Sequence, residues 1–449
     1  MTELLRATQV FVPSDFPVQT YVNRADEKFE NAVRDAFETP KTVISVSGPS
    51  KTGKTVLIQK ALGEDNIIPI YGAQIQSAGD LWSSILNWID VPNTTTQSSS
   101  SSDSITPKTG VSVKFKVPAL AEAQVSGGVD GTSSRSETDA KTKINSGLAG
   151  VAREIANSPF TVFLDDFHYI ARDLQEEVGR QIKAGTEVGI RFCVASVPHR
   201  SDDVVRSNHE LRGRTMNVDT AFWNVDDLAK IGVQGFDALN LGISADIVRR
   251  LAEEACTSPQ IMQALCLQLC FAFGIKEQFK ERENFEVSPE KLREVLEQTS
   301  ARADYISLLK QMHAGPRIRG TERKTFAFRD GSEGDAYRAS LLAIAADPPA
   351  MEMNYAEISK RIEAICRSDR PVGSSVTESY KQIEGFAHSM YPQQRIIEWD
   401  AEAASGTLSI IDPYFLFFLR SSDKLSELGM VRKKPTMPLF ESTCEVREK

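Results

Sequence analysis

Nowhere in its 449 residues does the sequence hold the run of about eighteen apolar residues that a membrane-crossing helix needs. No membrane span is expected. The opening residues, Met1-Thr2-Glu3-Leu4-Leu5-Arg6, lack the charged, apolar and small-residue zones of a secretory leader, which points to the cytoplasm. An excess of cations is missing too. The 52 Lys and Arg face 61 Asp and Glu, for a formal net charge of -9. That weakens any case for non-specific nucleic-acid binding, which rests on neutralised phosphates. Cysteine is scarce: six residues, none in a CxxC pair. Cys266 and Cys270 sit four apart in an apolar helical run with no histidine at ligand spacing, so they read as small core residues. A disulfide scaffold is not indicated. The rest is ordinary for a globular chain, 41% hydrophobic and 25% charged. The length suggests several domains.

Residues 1–40 form a leading segment with a helix over Ala25 to Phe37, where Phe29, Val33, Ala36 and Phe37 recur at helical spacing. Thr42-Val43-Ile44-Ser45-Val46-Ser47 is a buried strand stopped by Gly48, followed by a helix from Lys54 to Leu62. Ile67 to Tyr71 is a second strand and Ala78 to Ile89 a second helix. Asn93 to Ser104 is a Ser/Thr tract that cannot fill a core, and Val111 to Ser136 alternates weakly before turning glycine-rich. Residues 91–138 are therefore expected to be an insertion, a loop plus a protruding β-hairpin.

A helix from Ala140 to Ala156 resumes the core, and Thr161-Val162-Phe163-Leu164 is a strand ending in Asp165-Asp166. A helix near Leu174–Ile182, the strand Gly189 to Ser196 and a further strand in Thr215 to Phe222 complete an α/β unit over 41–222. Strands alternating with helices imply a parallel sheet covered on both faces. Residues 223–315 read as helical and 316–335 as a basic connector. Residues 336–424 show three helices and two strand-like runs, Arg395 to Trp399 and Thr407 to Ile411, the pattern of a winged helix. The tail, 425–449, is polar.

Gly48-Pro49-Ser50-Lys51-Thr52-Gly53-Lys54-Thr55 fits G-x-x-x-x-G-K-S/T, with an apolar strand before it and a helix after it. The glycines let backbone N–H groups turn inward to a phosphate, and the helix offers its positive end to the same anion. Lys54 is placed to reach the β- and γ-phosphates of ATP, and the Thr55 hydroxyl to ligate Mg²⁺. Asp165 ends a neighbouring strand, where it can hold Mg²⁺ through water, and Asp166 can polarise the attacking water. His168 reads mainly as a packing or surface residue. Ser196, at the end of the next strand, could orient water. Positive charge at the γ-phosphate is also needed. Arg212 or Arg214, in Asn208-His209-Glu210-Leu211-Arg212-Gly213-Arg214, could supply it to a neighbouring subunit. His199 and Arg200 lie near that edge.

Together these residues resemble the AAA+ and STAND superfamily of P-loop ATPases, especially its origin-recognition and archaeal-type branch. Thr20-Tyr21-Val22-Asn23-Arg24 is similar to the short box ahead of the phosphate loop there. Asn208 to Arg214, Met216 to Phe222 and the helix at Asp226 resemble the arginine-bearing turn that leads into a helical lid. Ser258-Pro259-Gln260 resembles the lid motif that carries Pro259 to the nucleotide. Gln260 stands where many members place a sensor arginine. Ile410 to Arg420 resembles the end of the winged helix. The resemblance spans roughly 18–90 and 140–420. It implies an α/β P-loop NTPase with a helical lid and a C-terminal winged helix, using ATP and Mg²⁺ as a switch or assembly platform.

Two readings of that switch follow, beside a third in which the chain is a nucleotide-dependent scaffold with negligible turnover, left open by Asp166 and the missing lid arginine. In the first the chain is a regulatory ATPase that forms a homo-oligomer and acts on a separate protein effector, with bacterial defence as the implied setting. In the alternative it is a DNA-binding ATPase of origin-recognition or transposition-regulator type. The helix expected to read DNA, Ser374 to Gln382, has one Lys against one Glu, and such helices usually gather more cations. Arg361, Arg367 and Arg370 precede it, and Arg317, Arg319, Arg323, Lys324 and Arg329 form a second basic group. DNA is the less favoured partner.

Overall fold

The computed structural model describes residues 4–24, 28–89, 147–196, 211, 213–220, 222–317, 320, 322–392, 394–401 and 406–429. The expected insertion over 91–138, residues 199–210 with His199 and Arg200, then Arg212, Arg319 and the tail beyond 429 lie outside them.

Short apolar runs form the strands, and their alternation sets which way each side chain points. β1 (Val43–Ser47), β2 (Ile67–Tyr71), β3 (Thr161–Asp165), β4 (Arg191–Ser196) and β5 (Thr215–Asp219) make one sheet in the order β2-β3-β4-β1-β5. Every pairing in it is parallel. Val43, Ile70, Val162, Leu164, Phe192 and Val194 face one way, against the helices Asp80–Trp88, Leu148–Ile155 and Arg172–Glu187. Ile44, Val46, Phe163, Cys193 and Ala195 face the other way, against Lys28–Glu38 and Lys54–Leu62. Each fully buried Val or Ile contributes about 1.5–3 kcal/mol, and β-branched side chains suit the pleat. In register, Ser47 is level with Ser196 and Asp219, and Asp165 is level with Tyr71. The carboxyl edge of the sheet therefore gathers the ends of β1, β3 and β4. Open parallel sheets bind ligands at that edge.

The helical unit follows β5. Its helices begin where a short polar side chain accepts a backbone N–H: Asn224 for Val225–Ala238, Ser244 for Ala245–Glu254, Ser258 for Pro259–Ala272 and Ser288 for Pro289–Ser300. In the last two, proline occupies the first turn, where its missing N–H costs nothing. The leading segment is split. Ala7, Val10, Phe11 and Val22 join the core of the helical unit, while the helix Lys28–Glu38 covers the sheet. Backbone hydrogen bonds fix the first part there, Ala7 N–H to the Lys276 carbonyl and Gln278 N–H to that of Leu5, both below 3.0 Å at 2.9 and 2.7 Å.

Residues 336–410 hold the helices Ala336–Ala345, Tyr355–Ile365 and Gly373–Met390 and a three-stranded antiparallel sheet. Two strands, Ile397–Asp400 and Thr407–Ile410, match the expected hairpin. The third, Glu352–Asn354, was not expected: it precedes the second helix and pairs with Thr407–Ile410. Three residues are too few for a period-2 signal. Pro413–Ser421 follows as an apolar helix capped by Asp412. The Phe415–Leu419 stretch of that helix shares one continuous core with the helical unit. Arg420 crosses the same boundary to Glu254, 3.2 Å away, both nearly buried. The basic connector contains a two-residue hairpin, Phe326–Ala327 with Glu333–Gly334.

Candidate nucleotide site

Ser47 delivers the chain to the carboxyl edge, where Gly48 to Gly53 curl before the helix Lys54–Leu62. Two residues of the curl are left-handed, Lys51 at φ 60° and Gly53 at φ 86°. Gly48 is required by contact instead. A Cβ there would lie 2.0 Å from Thr220 Oγ1 and 3.3 Å from Thr52 Oγ1. The loop is braced from three sides: Gly48 N–H bonds the Ser196 carbonyl (3.2 Å), Thr52 Oγ1 donates to the Pro49 carbonyl (2.8 Å), and Trp223 Nε1 donates to the Thr52 carbonyl (2.9 Å).

Lys54 lies inside this curl, 7% exposed. Its Nζ donates to the carbonyls of Gly48 and Pro49, each at 2.9 Å. Among the described residues no carboxylate forms an ion pair with it. Burial pulls its pKa below the usual lysine value, and the charges of Asp165 and Asp166 oppose that shift. A buried ammonium held by neutral acceptors suits an anion that arrives in the curl. The Thr55 hydroxyl donates to Asp165 Oδ2 at 2.9 Å. The two groups expected to share Mg²⁺ are therefore already side by side, an oxygen pair of the hard kind Mg²⁺ takes. The residues fit a nucleotide phosphate with its metal.

Asp166 follows at φ 55°. Burial first, and then the neighbouring Asp165, push its carboxyl up to about 6, against the pull of Lys54. Its peptide passes so close to Gly72, at the end of β2, that a Cβ there would lie 2.3 Å from the Asp166 carbonyl oxygen. Ser196 ends β4 buried, and among the described residues its Oγ has no hydrogen-bond partner. His168 is buried against Tyr169, ring centroids 4.3 Å apart, as a packing residue.

The cavity beside the loop has a volume of about 490 Å³. Ser50, Lys51, Thr52, Gly53, Lys54 and Thr55 line one end with Asp165 and Asp166, and Pro259 and Gln260 form part of the wall from the helical unit. The leading segment closes it through Val12 to Pro17 and Thr20 to Val22. The structure thus gathers the loop, both aspartates and Pro259, with Ser196 at the adjoining strand end. It does not bring Arg214 there. Arg214 precedes β5, at the opposite end of the sheet, where its carbonyl takes Val43 N–H and its guanidinium pairs with Glu187.

Sequence reasoning missed several residues of this site. Thr220 and Trp223 hold the loop from behind. Gln263 ties the leading segment to the helical unit, accepting from Val12 N–H (3.2 Å) and donating to Thr20 Oγ1 (2.6 Å). The contacts of Thr220, Trp223 and Gln263 join residues far apart in the chain, so no local pattern announces them. Arg24, in the box Thr20 to Arg24 that the sequence did offer, stacks between Phe29 and Trp223, 4.9 and 4.5 Å from the ring centroids.

A lysine-bearing loop between a strand and a helix, an aspartate at a neighbouring strand end, and five parallel strands decide the architecture. The chain has the P-loop NTPase fold.

No family model matches this sequence, and no curated protein does. Solved structures do. The Aeropyrum pernix ORC2 protein, in ADPNP–ADP complexes, is 11% identical over 95% of this chain and 98% of that one, with a TM-score of 0.47. A Walker-type ATPase of Pyrococcus abyssi is 12% identical over 90% and 99%, with a TM-score of 0.45. Cdc6p of Pyrobaculum aerophilum is 13% identical over 95% and 100%, with a TM-score of 0.39. These are distant likenesses of architecture.

Proposed function

We propose that the chain binds ATP with Mg²⁺ in this cavity, hydrolyses it, and uses the γ-phosphate as a switch. The observation that carries the reading is Lys54, buried in the curl and held, among the described residues, by the carbonyls of Gly48 and Pro49, beside the Thr55–Asp165 pair. Asp166 is the candidate base and Ser196 a second polar group for the attacking water. The cavity wall comes from the sheet, the leading segment and the helical unit, so a γ-phosphate that draws these parts together favours one arrangement over another.

The helix and strand order over 336–410 supports the winged-helix reading. The cations of this unit and of the connector before it support a structural use more than a DNA-reading one. Arg361 is spent on the carbonyls of Ala343, Ala346 and Pro348 and Arg323 on Asp335, while the exposed Lys324 and Arg370 pair with Asp369 and Glu363. The regulatory reading, with assembly into a homo-oligomer and a protein effector, is therefore preferred to the DNA-binding one.

The test is the mass of the full chain with ADP, with a non-hydrolysable ATP analogue, and with the analogue plus DNA, Lys54→Ala serving as control. Assembly on the analogue by wild type alone supports a shared γ-phosphate, with Arg212 and Arg214 as the fingers to examine. A single-chain mass in every state refutes the assembly reading, and nucleotide binding by Lys54→Ala equal to wild type refutes the site.

A further inference from the structure

Lys51 is one of the variable residues of the phosphate loop, and nothing in the loop pattern gives it a task. Its backbone is left-handed, φ 60°, a conformation that a non-glycine residue keeps where its surroundings hold it there. Three contacts do so. Ser258 Oγ lies 3.4 Å from its carbonyl oxygen. Its ammonium stands 3.5 Å from Asp412 Oδ1 and 4.4 Å over the ring of Tyr414. The last two partners belong to the C-terminal unit, more than three hundred and fifty positions away along the sequence.

Asp412 is built to stay in place. It is 2% exposed. Oδ1 accepts from Tyr414 N–H at 2.9 Å, which caps the helix Pro413–Ser421, and Oδ2 accepts from the Tyr305 hydroxyl at 2.6 Å and Gln394 Nε2 at 2.7 Å. Three hydrogen-bond donors from the helical and C-terminal units and the ammonium of the phosphate loop's Lys51 therefore converge on one carboxylate. The backbone of Arg395 also lies near the hydroxyl of Tyr169, in the turn just after Asp166. The C-terminal unit thus meets the phosphate loop directly and comes up beside the turn that carries Asp166.

We propose that Asp412 and Tyr414 are positioning residues of the nucleotide site, holding the phosphate loop in its anion-cradling curl through Lys51. This rests on the nucleotide reading above and deepens it, because it makes the C-terminal unit a third participant in nucleotide binding. Linkage makes the effect reciprocal: whatever seats phosphate in the curl also strengthens docking of the C-terminal unit, by the same factor.

The sign of one substitution separates positioning from a simple charge effect. Asp412→Asn removes a negative charge near the polyphosphate, which by field alone tightens nucleotide binding. Positioning demands the opposite. The full chain is titrated calorimetrically with ADP and with a non-hydrolysable ATP analogue in Mg²⁺. Asp412→Asn and Tyr414→Leu are each expected to weaken binding about three- to fivefold, and Tyr414→Phe, which keeps the ring, to leave it unchanged. In a Lys51→Met background Asp412→Asn is expected to weaken binding no further. Wild-type or tighter binding by Asp412→Asn, or a full extra loss in the Lys51→Met background, overturns the proposal. If Asp412→Asn does not fold, the contrast of Tyr414→Leu with Tyr414→Phe decides it, equal affinity of the two overturning it. Unaltered nucleotide binding by Lys54→Ala signals instead that the nucleotide reading itself is wrong.

Discussion

Replacing Lys54 by methionine tests whether that lysine serves the fold or the ligand. The side chain is buried, and its ammonium has two neutral acceptors at 2.9 Å. Desolvating such a charge costs several kcal/mol. Two hydrogen bonds from a charged donor return about 1.5–3 kcal/mol each. The two contributions nearly cancel, and burial has already drawn the lysine pKa down. Methionine fills similar space without charge. It leaves the Gly48 carbonyl short of a partner, while the Pro49 carbonyl keeps the Thr52 hydroxyl. The expected net change in nucleotide-free stability is within about 1 kcal/mol, or about 2–4 °C in melting temperature for a unit of this size. With nucleotide the contrast is large. A ligand at about a hundred times its Kd stabilises a protein by about 2.7 kcal/mol, and Lys54→Met is expected to lose nearly all of it. Thermal melts of both proteins, with and without nucleotide and Mg²⁺, measure the two effects. The reasoning fails if Lys54→Met melts far below wild type without ligand, or if it keeps the full nucleotide shift.

Thr55→Ala is expected to abolish the gain in nucleotide affinity that Mg²⁺ brings while sparing binding in EDTA, because the proposed metal ligand is the hydroxyl paired with Asp165; a preserved Mg²⁺ gain in a calorimetric titration contradicts this. Gly72→Ala places a Cβ 2.3 Å from the Asp166 carbonyl oxygen, so ATP turnover should fall about tenfold or more with nucleotide affinity near wild type, and normal turnover in a phosphate-release assay refutes it. His313 accepts from Arg338 across 3.3 Å, and burial first and that guanidinium second lower its pKa. A depressed histidine pKa gives stability that is present above the unfolded value of about 6.5 and lost as pH falls below it. Denaturant midpoints at pH 7.5 and 5.5 should therefore converge in His313→Gln relative to wild type, and an unchanged gap removes His313 from the account.

Much of this was legible along the chain because the signals are local. The loop Gly48 to Thr55 occupies eight consecutive residues, and its strand and helix flank it directly. Asp165 and Asp166 announce themselves by ending an apolar run. Helix starts such as Ser258-Pro259 and Ser288-Pro289 are written in a cap and a first-turn proline. The helix expected over Tyr355 to Ile365 has those bounds in the structure, since Asn354 and Glu357 cap its start reciprocally. Other features were not legible. The strand Glu352–Asn354 is three residues long and forms through its partner, not its own pattern.

The chemistry at the end of β1 and the apolar runs that bury β1, β3 and β4 are thus written in the sequence, since backbone reach and side-chain period act over a few residues. Only the tertiary structure decided that Ala7 to Phe11 belongs to the helical unit, that Arg214 lies at the far end of the sheet, and that Trp223 braces the loop. Only it could bring Asp412 to Lys51. Such contacts join residues tens to hundreds of positions apart. They depend on how several separately specified elements pack, and packing is a property of the assembled core, which no single stretch of chain contains.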